Sequence, residues 1–111
     1  MTFQESIKLC FQKYADFNGR AKRPEFWWFE LFMFLVSLGL GIVSDILPGL
    51  FSITVLVPSI AVGARRLHDT GRSGWWQLLV FVPVLGWILL IVWCAQEGNA
   101  ADNEFGAPPA N

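Results

Sequence analysis

Charge is missing from three long windows of this 111-residue chain. No Asp, Glu, Lys or Arg occurs in residues 31–44, 46–64 or 73–96. A helix needs about 20 mainly apolar residues to cross the roughly 30 Å hydrocarbon layer of a bilayer, and each window is about that long once its flanking aromatic residues are included. The windows therefore predict an all-α integral membrane protein with three transmembrane helices.

Two other fold classes fit the sequence less well. A soluble helical bundle would need amphipathic helices to cover its uniformly apolar ones, and none remain for that task. A β-barrel would need strands in which apolar and polar residues alternate, whereas residues 29–36 read FELFMFLV. Residues 1–111 are therefore interpreted as a single membrane domain.

The segment before the first window, residues 2–14, is predicted to be an amphipathic helix. Its bulky side chains repeat at helical spacing while its lysines point elsewhere, and they are Phe3, Ile7, Cys10, Phe11 and Tyr14. A helix of this kind can lie flat in the headgroup layer as an interfacial helix. Packing against the cytoplasmic ends of the spans fits the same stripe, so both placements stay open.

Three spans and an irregular tail are predicted, at residues 26–44, 50–64, 75–95 and 96–111. Pro58 lies in the middle of the second span and predicts a kink there. Pro83 and Gly86 lie near the middle of the third span, whose continuity the sequence leaves open. The tail is rich in Gly, Ala, Asn and Pro and contains no Lys or Arg.

The positive residues are distributed unevenly along the chain. All eight Lys and Arg residues precede the first span or lie between the second and third spans. Lys and Arg concentrate in cytoplasmic loops, and a three-span topology puts these two segments on one side. The predicted N-terminus is therefore cytoplasmic, and the predicted C-terminus is periplasmic or extracellular.

The most charged loop, residues 64–76, reads ARRLHDTGRSGWW. Its first two arginines are expected to snorkel to lipid phosphates, its His-Asp pair to order the loop, and its tryptophans to lie at headgroup level. Simple anchoring of the chain is the alternative interpretation. The predicted lipid- or partner-binding residues, which include two arginines before the first span, are Arg20, Arg23, Arg65, Arg66, His68, Asp69, Arg72, Ser73, Trp75 and Trp76.

One carboxylate, Glu30, lies about one turn inside the first predicted span. An unpaired carboxylate is unfavourable at that depth. Glu30 is therefore predicted either to pair with an arginine of the 64–76 loop or to be protonated.

The sequence contains little that indicates catalysis. A metal site needs three or four ligands and a nucleophile needs an oriented base, but the chain has one histidine and two cysteines. Cys10 and Cys94 are predicted at opposite faces of the membrane, so they cannot share a metal or a disulfide. No catalytic residue, metal or cofactor is predicted, and the net charge of −1 argues against a nucleic-acid partner.

Three functions are consistent with these features. The favoured one is non-enzymatic binding of anionic lipid headgroups, or of a membrane-protein partner, by the cytoplasmic Arg and Trp residues. A small oligomeric channel or transporter is the alternative, since small residues at four-residue spacing would let helices from several copies pack closely. A membrane enzyme that acts on a lipid headgroup, with His68 as its base, is the third.

The chain resembles the YhaH-like bacterial inner-membrane proteins, which are grouped as a domain of unknown function (family 805). Four features carry the resemblance: FNGRAKRPEFWWF at 17–29, PSIAVGARRLHDTGRSGWW at 58–76, an apolar span that contains Pro83 and Gly86, and a tail with NEFG at 103–106 and Pro109. The family motif falls on Gly19, Arg20, Arg23, Trp27, Arg65, Arg66, Leu67, His68, Asp69, Ser73, Gly74 and Trp75. Ala101 and Glu104 depart from the family pattern, which often has a glycine and an arginine there. The resemblance implies an inner-membrane location and no particular activity.

Overall fold

A computed structural model of the chain describes residues 1–109, and these residues form helices, turns and one isolated bridge between Asn103 and Gly106. The helices are α1 (Phe3–Gln12), α2 (Arg23–Val43), α3 (Leu47–Thr54), α4 (Leu56–Asp69), a 3₁₀ helix (Gly74–Phe81) and α5 (Leu85–Ala95). The predicted all-α fold is therefore confirmed.

Apolar side chains cover the outside of the molecule over most of its length. Only 6% of the most apolar stretch of α2 is buried, and Ile42, near its end, is 87% exposed. Ile53 on α3 is 72% exposed. Water-soluble monomers rarely expose an apolar surface of this extent, so the helices lack the covering that the core of a soluble protein would give them.

One or two of the three predicted spans correspond to helices of sufficient length. Among the described residues α2 alone is long and apolar enough to cross a membrane, and α3 with α4 also suffices if that bent pair is one span. α5 has 11 residues, too few to cross alone. Three transmembrane helices are therefore not found.

Helix α1 packs along the first turns of α2. Ser6 Oγ donates a hydrogen bond of 2.6 Å to the carbonyl oxygen of Glu25, and the Phe11 ring contacts the Phe29 ring edge to face at 5.6 Å. Ser6 and Cys10 are buried in this contact. The sequence left open whether this amphipathic helix lies in the headgroup layer or packs against the ends of the spans. The contacts with α2 correspond to the second placement.

The second predicted span is bent, and the bend lies before its proline. α3 and α4 meet at Val55 with an angle of 55° between them. Pro58 has no N–H to donate to the carbonyl of Thr54, four residues earlier, and its ring would collide with that carbonyl in a straight helix. The Thr54 carbonyl instead accepts a 2.8 Å hydrogen bond from the Tyr14 hydroxyl. The predicted kink is thus present one turn earlier than expected.

The third predicted span, residues 75–95, whose continuity the sequence left open, is broken between Phe81 and Leu85. The 3₁₀ helix ends at Phe81 and α5 returns alongside it, so that the Trp76 and Trp93 rings lie 5.7 Å apart. Near the turn, the indole N–H of Trp87 donates a 2.8 Å hydrogen bond to the carbonyl of Val80. Residues 74–95 therefore form a helical hairpin that begins and ends at the same end of the molecule.

The hairpin turns at Pro83 and Val84. The Leu85 N–H donates to the Pro83 carbonyl at 2.8 Å, which closes a γ-turn around Val84 with φ 65° and ψ −66°. Valine rarely adopts a positive φ because its branched side chain collides with the backbone there. Gly86 follows immediately, where a Cβ atom would overlap the Leu79 carbonyl. The proline and glycine noted in the sequence thus mark the turn between two antiparallel arms.

Replacing Val84 with glycine should stabilise the protein. Relief of the positive φ is worth about 1–3 kcal/mol, and the greater freedom of glycine in the unfolded chain offsets about 0.5–1 kcal/mol of that. We expect Val84→Gly to raise the free energy of unfolding by about 1 kcal/mol in detergent micelles, measured by tryptophan fluorescence. Val82→Gly is the matched control, because Val82 has an ordinary φ of −101°; stabilisation by both substitutions would contradict strain at Val84.

Candidate functional site

Three of the predicted lipid-binding arginines are buried inside the protein. Arg65 and Arg66 have no exposed surface, and Arg20 is 4% exposed. Their guanidinium groups bond to carboxylates and main-chain carbonyls of the same chain. The expectation that Arg65 and Arg66 snorkel to lipid phosphates is therefore wrong. We call Arg20, Arg65 and Arg66, with the two carboxylates that they contact, Glu25 and Asp69, the arginine cluster.

Asp69 lies at the centre of the arginine cluster. Its Oδ1 accepts a 2.9 Å hydrogen bond from Arg20 Nε, and its Oδ2 accepts one of 2.7 Å from Arg66 Nη1. Asp69 and Arg66 are three residues apart on the last turn of α4, so they share one face of the helix. Gly98 passes so close that a Cβ there would overlap Asp69 Oδ2. One carboxylate therefore joins α4 to the segment before α2.

Arg65 turns to the other side of α4 and meets Glu25. Its Nη1 pairs with Glu25 Oε2, and its Nε donates to the Asp16 carbonyl at 3.1 Å. Arg65 Nη2 is buried without an acceptor among the described residues. Sequence reasoning missed Glu25, for which the only signal was an acidic residue in the first turn of a helix. The alternative that Glu30 pairs with an arginine of the 64–76 loop is wrong, because Glu25 is that partner.

The C-terminal end of α5 is bonded by donors from two other helices. The last carbonyls of a helix have no partner within it and carry partial negative charge, so cationic donors stabilise them. The Cys94 carbonyl accepts from Arg66 Nε at 2.8 Å and from the Trp27 indole at 3.2 Å. Arg66 Nη2 also donates to the Gln96 carbonyl. These bonds hold the end of the hairpin beside the start of α2.

The tail packs on the arginine cluster. Arg20 Nη1 donates to the carbonyls of Ala101 and Gly106 at 3.0 and 3.1 Å, and Asn103 Nδ2 donates to the His68 carbonyl at 2.9 Å. The tail has the irregular backbone predicted for it, yet it supplies part of the site. Because Ala101 contributes its main-chain carbonyl, a glycine there in the family pattern could make the same contact.

His68 is oriented by two contacts. Its Nδ1 lies 2.9 Å from the Gly19 carbonyl, which can only accept, so Nδ1 carries the proton and Nε2 is left as an acceptor. Its ring stacks on Phe105 with 4.0 Å between centroids. The imidazole lines a cleft of about 490 Å³ together with Phe17, Ser73 and Trp75. We find no oriented nucleophile beside Nε2 among the cleft residues.

The remaining predicted residues lie nearer the surface. Arg23 is exposed, and its Nη1 lies 3.5 Å from the Ala95 carbonyl. Arg72 covers the Trp93 ring at 4.7 Å, and Trp75 is 79% exposed. The Ser73 hydroxyl accepts a hydrogen bond from the Trp75 N–H at 3.3 Å and so caps the 3₁₀ helix. Trp76 is 50% exposed.

The two cysteines lie at the same end of the molecule, contrary to the prediction of opposite faces. Cys10 Sγ lies 3.8 Å from the Glu25 carbonyl, in the first turn of α2. Cys94 lies at the end of α5, where its carbonyl accepts from the Trp27 indole. Both are free and buried. Burial, with a smaller effect of the Glu25 carboxylate, raises the pKa of the Cys10 thiol from 9.0 to about 12.

Removing the Asp69 charge should unfold this end of the protein. Asp69→Asn leaves two buried guanidinium groups without their shared anion, so we expect a loss of about 3–5 kcal/mol in the free energy of unfolding. Thermal unfolding in detergent micelles measures the change. Asp102→Asn, at an exposed tail position, is the control and should change the stability little; equal effects would contradict a central role for Asp69.

Cys10 should resist thiol reagents in the folded protein. The thiolate is the reactive form, and its population near pH 8 is roughly a thousandfold lower at a pKa of about 12 than at 9.0. We expect a Cys94→Ala chain to react with maleimide at least about a hundredfold more slowly than the same chain unfolded in dodecyl sulfate. Rapid labelling of the folded chain would refute the buried placement of α1.

Known proteins resemble this chain over most of its length. A family model described as "Protein of unknown function (DUF805)" matches residues 14–107. Inner membrane protein YhaH of Escherichia coli (strain K12) is 38% identical over 109 residues, covering 88% of this chain and 90% of that protein. Inner membrane protein YhaI of the same strain is 40% identical over 105 residues, covering 88% and 89%.

A third relative, the uncharacterized protein YiiR of the same strain, is 39% identical over 81 residues, covering 68% of this chain and 53% of that protein. No solved structure matches the chain. The family match includes α2, the arginine cluster and most of the tail. On the extent of this match and the identity to YhaH and YhaI, the chain belongs to the DUF805 family.

Proposed function

We propose that this chain is a multi-pass protein of the bacterial inner membrane that binds anionic lipid at its cytoplasmic surface. The similarity to YhaH and YhaI, both named inner membrane proteins, supports the location. The exposed apolar surface of α2 and α3 supports it independently, because lipid would cover side chains that are otherwise left in water.

In this proposal α2 and the bent α3–α4 pair cross the membrane, and residues 74–95 enter and leave from one side. α2 has 21 residues and spans about 31 Å, close to the hydrocarbon thickness. α5 has 11 residues and reaches about 16 Å, so the hairpin penetrates about half of that thickness. The hairpin packs against α4, and the irregular backbone at its turn is bonded within the hairpin, since the Gly86 N–H donates to the Val82 carbonyl and the Trp87 indole to the Val80 carbonyl.

All Lys and Arg residues then lie at one end of the molecule. They precede α2, occupy its first position, or lie at the end of α4 and just after it, which supports a cytoplasmic location for that end. The tail contacts the same end through Arg20. Both termini are therefore cytoplasmic in this proposal, in place of the opposite sides expected from three spans.

A groove beside Arg23 is the observation that carries the lipid proposal. It has a volume of about 460 Å³, and it is lined by Arg23, Pro24, Trp27, Trp28 and Leu31. The guanidinium group at its end suits a phosphate, and the apolar side chains deeper along α2 suit an acyl chain. This combination of one cation with an adjacent apolar groove matches the two parts of an anionic lipid, which favours lipid over a membrane-protein partner.

The proposed binding residues are fewer than the sequence indicated. Arg20, Arg65 and Arg66 bond to groups of the protein and serve to fix the surface rather than to contact lipid. Arg23 and Arg72 are the cations left near the exposed tryptophans. We assign phosphate binding to these two, and depth in the membrane to Trp27, Trp28, Trp75 and Trp76.

Reporter fusions test the topology directly. We expect green fluorescent protein fused after Asn111 to fluoresce and alkaline phosphatase at that position to be inactive, because both report a cytoplasmic end. Alkaline phosphatase inserted after Asp45, between α2 and α3, should be active. An active phosphatase after Asn111 would contradict the proposed path of residues 74–95.

Lipid binding should depend on Arg23 and Arg72. Each basic residue near an anionic leaflet contributes about 1 kcal/mol, so Arg23→Gln with Arg72→Gln should weaken binding about thirtyfold. Native mass spectrometry with defined ratios of phosphatidylglycerol to phosphatidylcholine measures the retained lipid.

A double variant at Lys8 and Lys13 is the matched control, since it removes the same charge from α1. An equal loss in this control would indicate diffuse attraction and would count against the groove. Unchanged lipid retention in the Arg23, Arg72 variant, together with loss of a copurifying protein, would favour a membrane-protein partner instead.

A further inference from the structure

A separate cavity lies deeper in the molecule than the groove and the arginine cluster. It has a volume of about 610 Å³ and lies among α2, α4, the 3₁₀ helix and α5. This size is within the range of about 300–1,000 Å³ that accommodates drug-sized ligands. Its lining includes Glu30, Leu56, Ser59, Trp75, Gln77 and Phe81.

Glu30 is the acidic residue that lines this cavity. The described part of the chain offers it no ion pair and no side-chain hydrogen bond, and its neighbours in the cavity wall are mostly apolar. Gln77, the amide side chain in the cavity wall, donates its N–H to the Ile60 carbonyl at 3.1 Å. The ionised form of this carboxylate is costly in such surroundings unless a cation or a hydrogen-bond donor joins it, and protonation is the other way to remove that cost.

The chain itself supplies no suitable cation at the depth of Glu30. No Lys or Arg occurs in residues 24–64, and Arg65 and Arg66 already bond to Glu25, to Asp69 and to helix-end carbonyls. A second copy in the same orientation would carry its own basic residues at the end of the molecule that holds the arginine cluster, and not at the depth of Glu30. The partner that complements Glu30 is therefore expected to be a small molecule that brings its own positive charge.

The cavity opens on the apolar surface. Leu56 is 54% exposed, and Trp75 and Phe81 are each 79% exposed. An occupant that enters here must be compatible with lipid, so a strongly hydrated metal ion is a poor fit. Trp75 adds an aromatic face at the entrance, to which an organic cation is attracted.

We infer that this cavity binds a lipophilic organic monocation, whose charge pairs with Glu30 and whose apolar groups fill the space between α4 and the hairpin. Charge complementarity and volume carry this assignment, and it does not depend on the proposed binding of anionic lipid. The two sites use different charged residues, share only Trp75, and bind opposite charges.

Tetraphenylphosphonium is a suitable probe, with uncharged triphenylphosphine oxide as its neutral counterpart. We propose titration calorimetry of the full chain in phosphatidylcholine nanodiscs, with empty nanodiscs as the reference. Glu30→Gln should weaken tetraphenylphosphonium binding by about tenfold or more, because it removes the opposing charge from a poorly screened site. The affinity for triphenylphosphine oxide should stay within about twofold, since the shape of the cavity is kept.

Two further variants guard against indirect effects. Ser59→Leu fills the cavity and should weaken both ligands, while Ser52→Leu makes the same change at an exposed position of α3 outside it. Asp45→Asn removes a carboxylate at the far end of α2 and should leave both affinities unchanged. Thermal unfolding of each variant checks that it is folded.

The assignment is overturned if Glu30→Gln binds tetraphenylphosphonium as tightly as the unaltered chain. It is also overturned if a Ser59→Cys chain forms a disulfide-linked dimer in the nanodisc, since a second copy would then occupy the cavity. Failure of the phosphatidylglycerol experiment would leave this result untouched, because the nanodiscs contain only zwitterionic lipid.

Discussion

A guanidinium group removed from water must find acceptors for its N–H groups, and this requirement organises the protein. Arg20 and Arg66 share Asp69, and Arg65 takes Glu25. Two carboxylates are too few for three buried cations, so carbonyls at the ends of α4 and α5 and in the tail provide the remaining acceptors. The cluster thereby joins four segments that are far apart in sequence. It also explains why α5 returns to the start of α2, since the donors for its last carbonyls are there.

The same cluster separates two roles among the basic residues. The buried arginines cannot contact a ligand outside the protein, because their guanidinium groups already bond to acceptors of the same chain. Their removal would disrupt the fold. In the proposed function, lipid binding at this surface therefore rests with the cations that keep access to the outside, Arg23 and Arg72, and with the tryptophans around them. Glu30 stands apart from both groups. It is a carboxylate in an apolar cavity that the cluster does not reach, which gives the molecule two regions of opposite charge preference at different depths.

The sequence predicted local features better than long-range ones. The charge-free window at 31–44 and the proline before it gave α2 nearly its observed limits, and Pro58 indicated a bend in the second apolar segment. The third charge-free window shows only that the segment is apolar and long enough to span, and a hairpin meets both conditions as well as a straight helix does. The turn at Pro83 and Val84 decides which of the two forms. The arginine motif was recognised as a unit, but its burial was not. Burial depends on acceptors in the tail and on Glu25, and nothing in the local pattern distinguishes Glu25 from Glu30 as the partner of Arg65.

The hairpin has a consequence for biogenesis. If residues 74–95 leave the bilayer on the side where they entered, then the acidic tail never has to be translocated, and neither do the polar groups that bond to the arginine cluster. The only connection that must reach the far side is the short segment between α2 and α3, residues 44–46, which carries a single charge at Asp45. Insertion of the two spans could then be complete before the tail emerges from the ribosome, and the cluster would close afterwards, entirely in water, on a protein already in place.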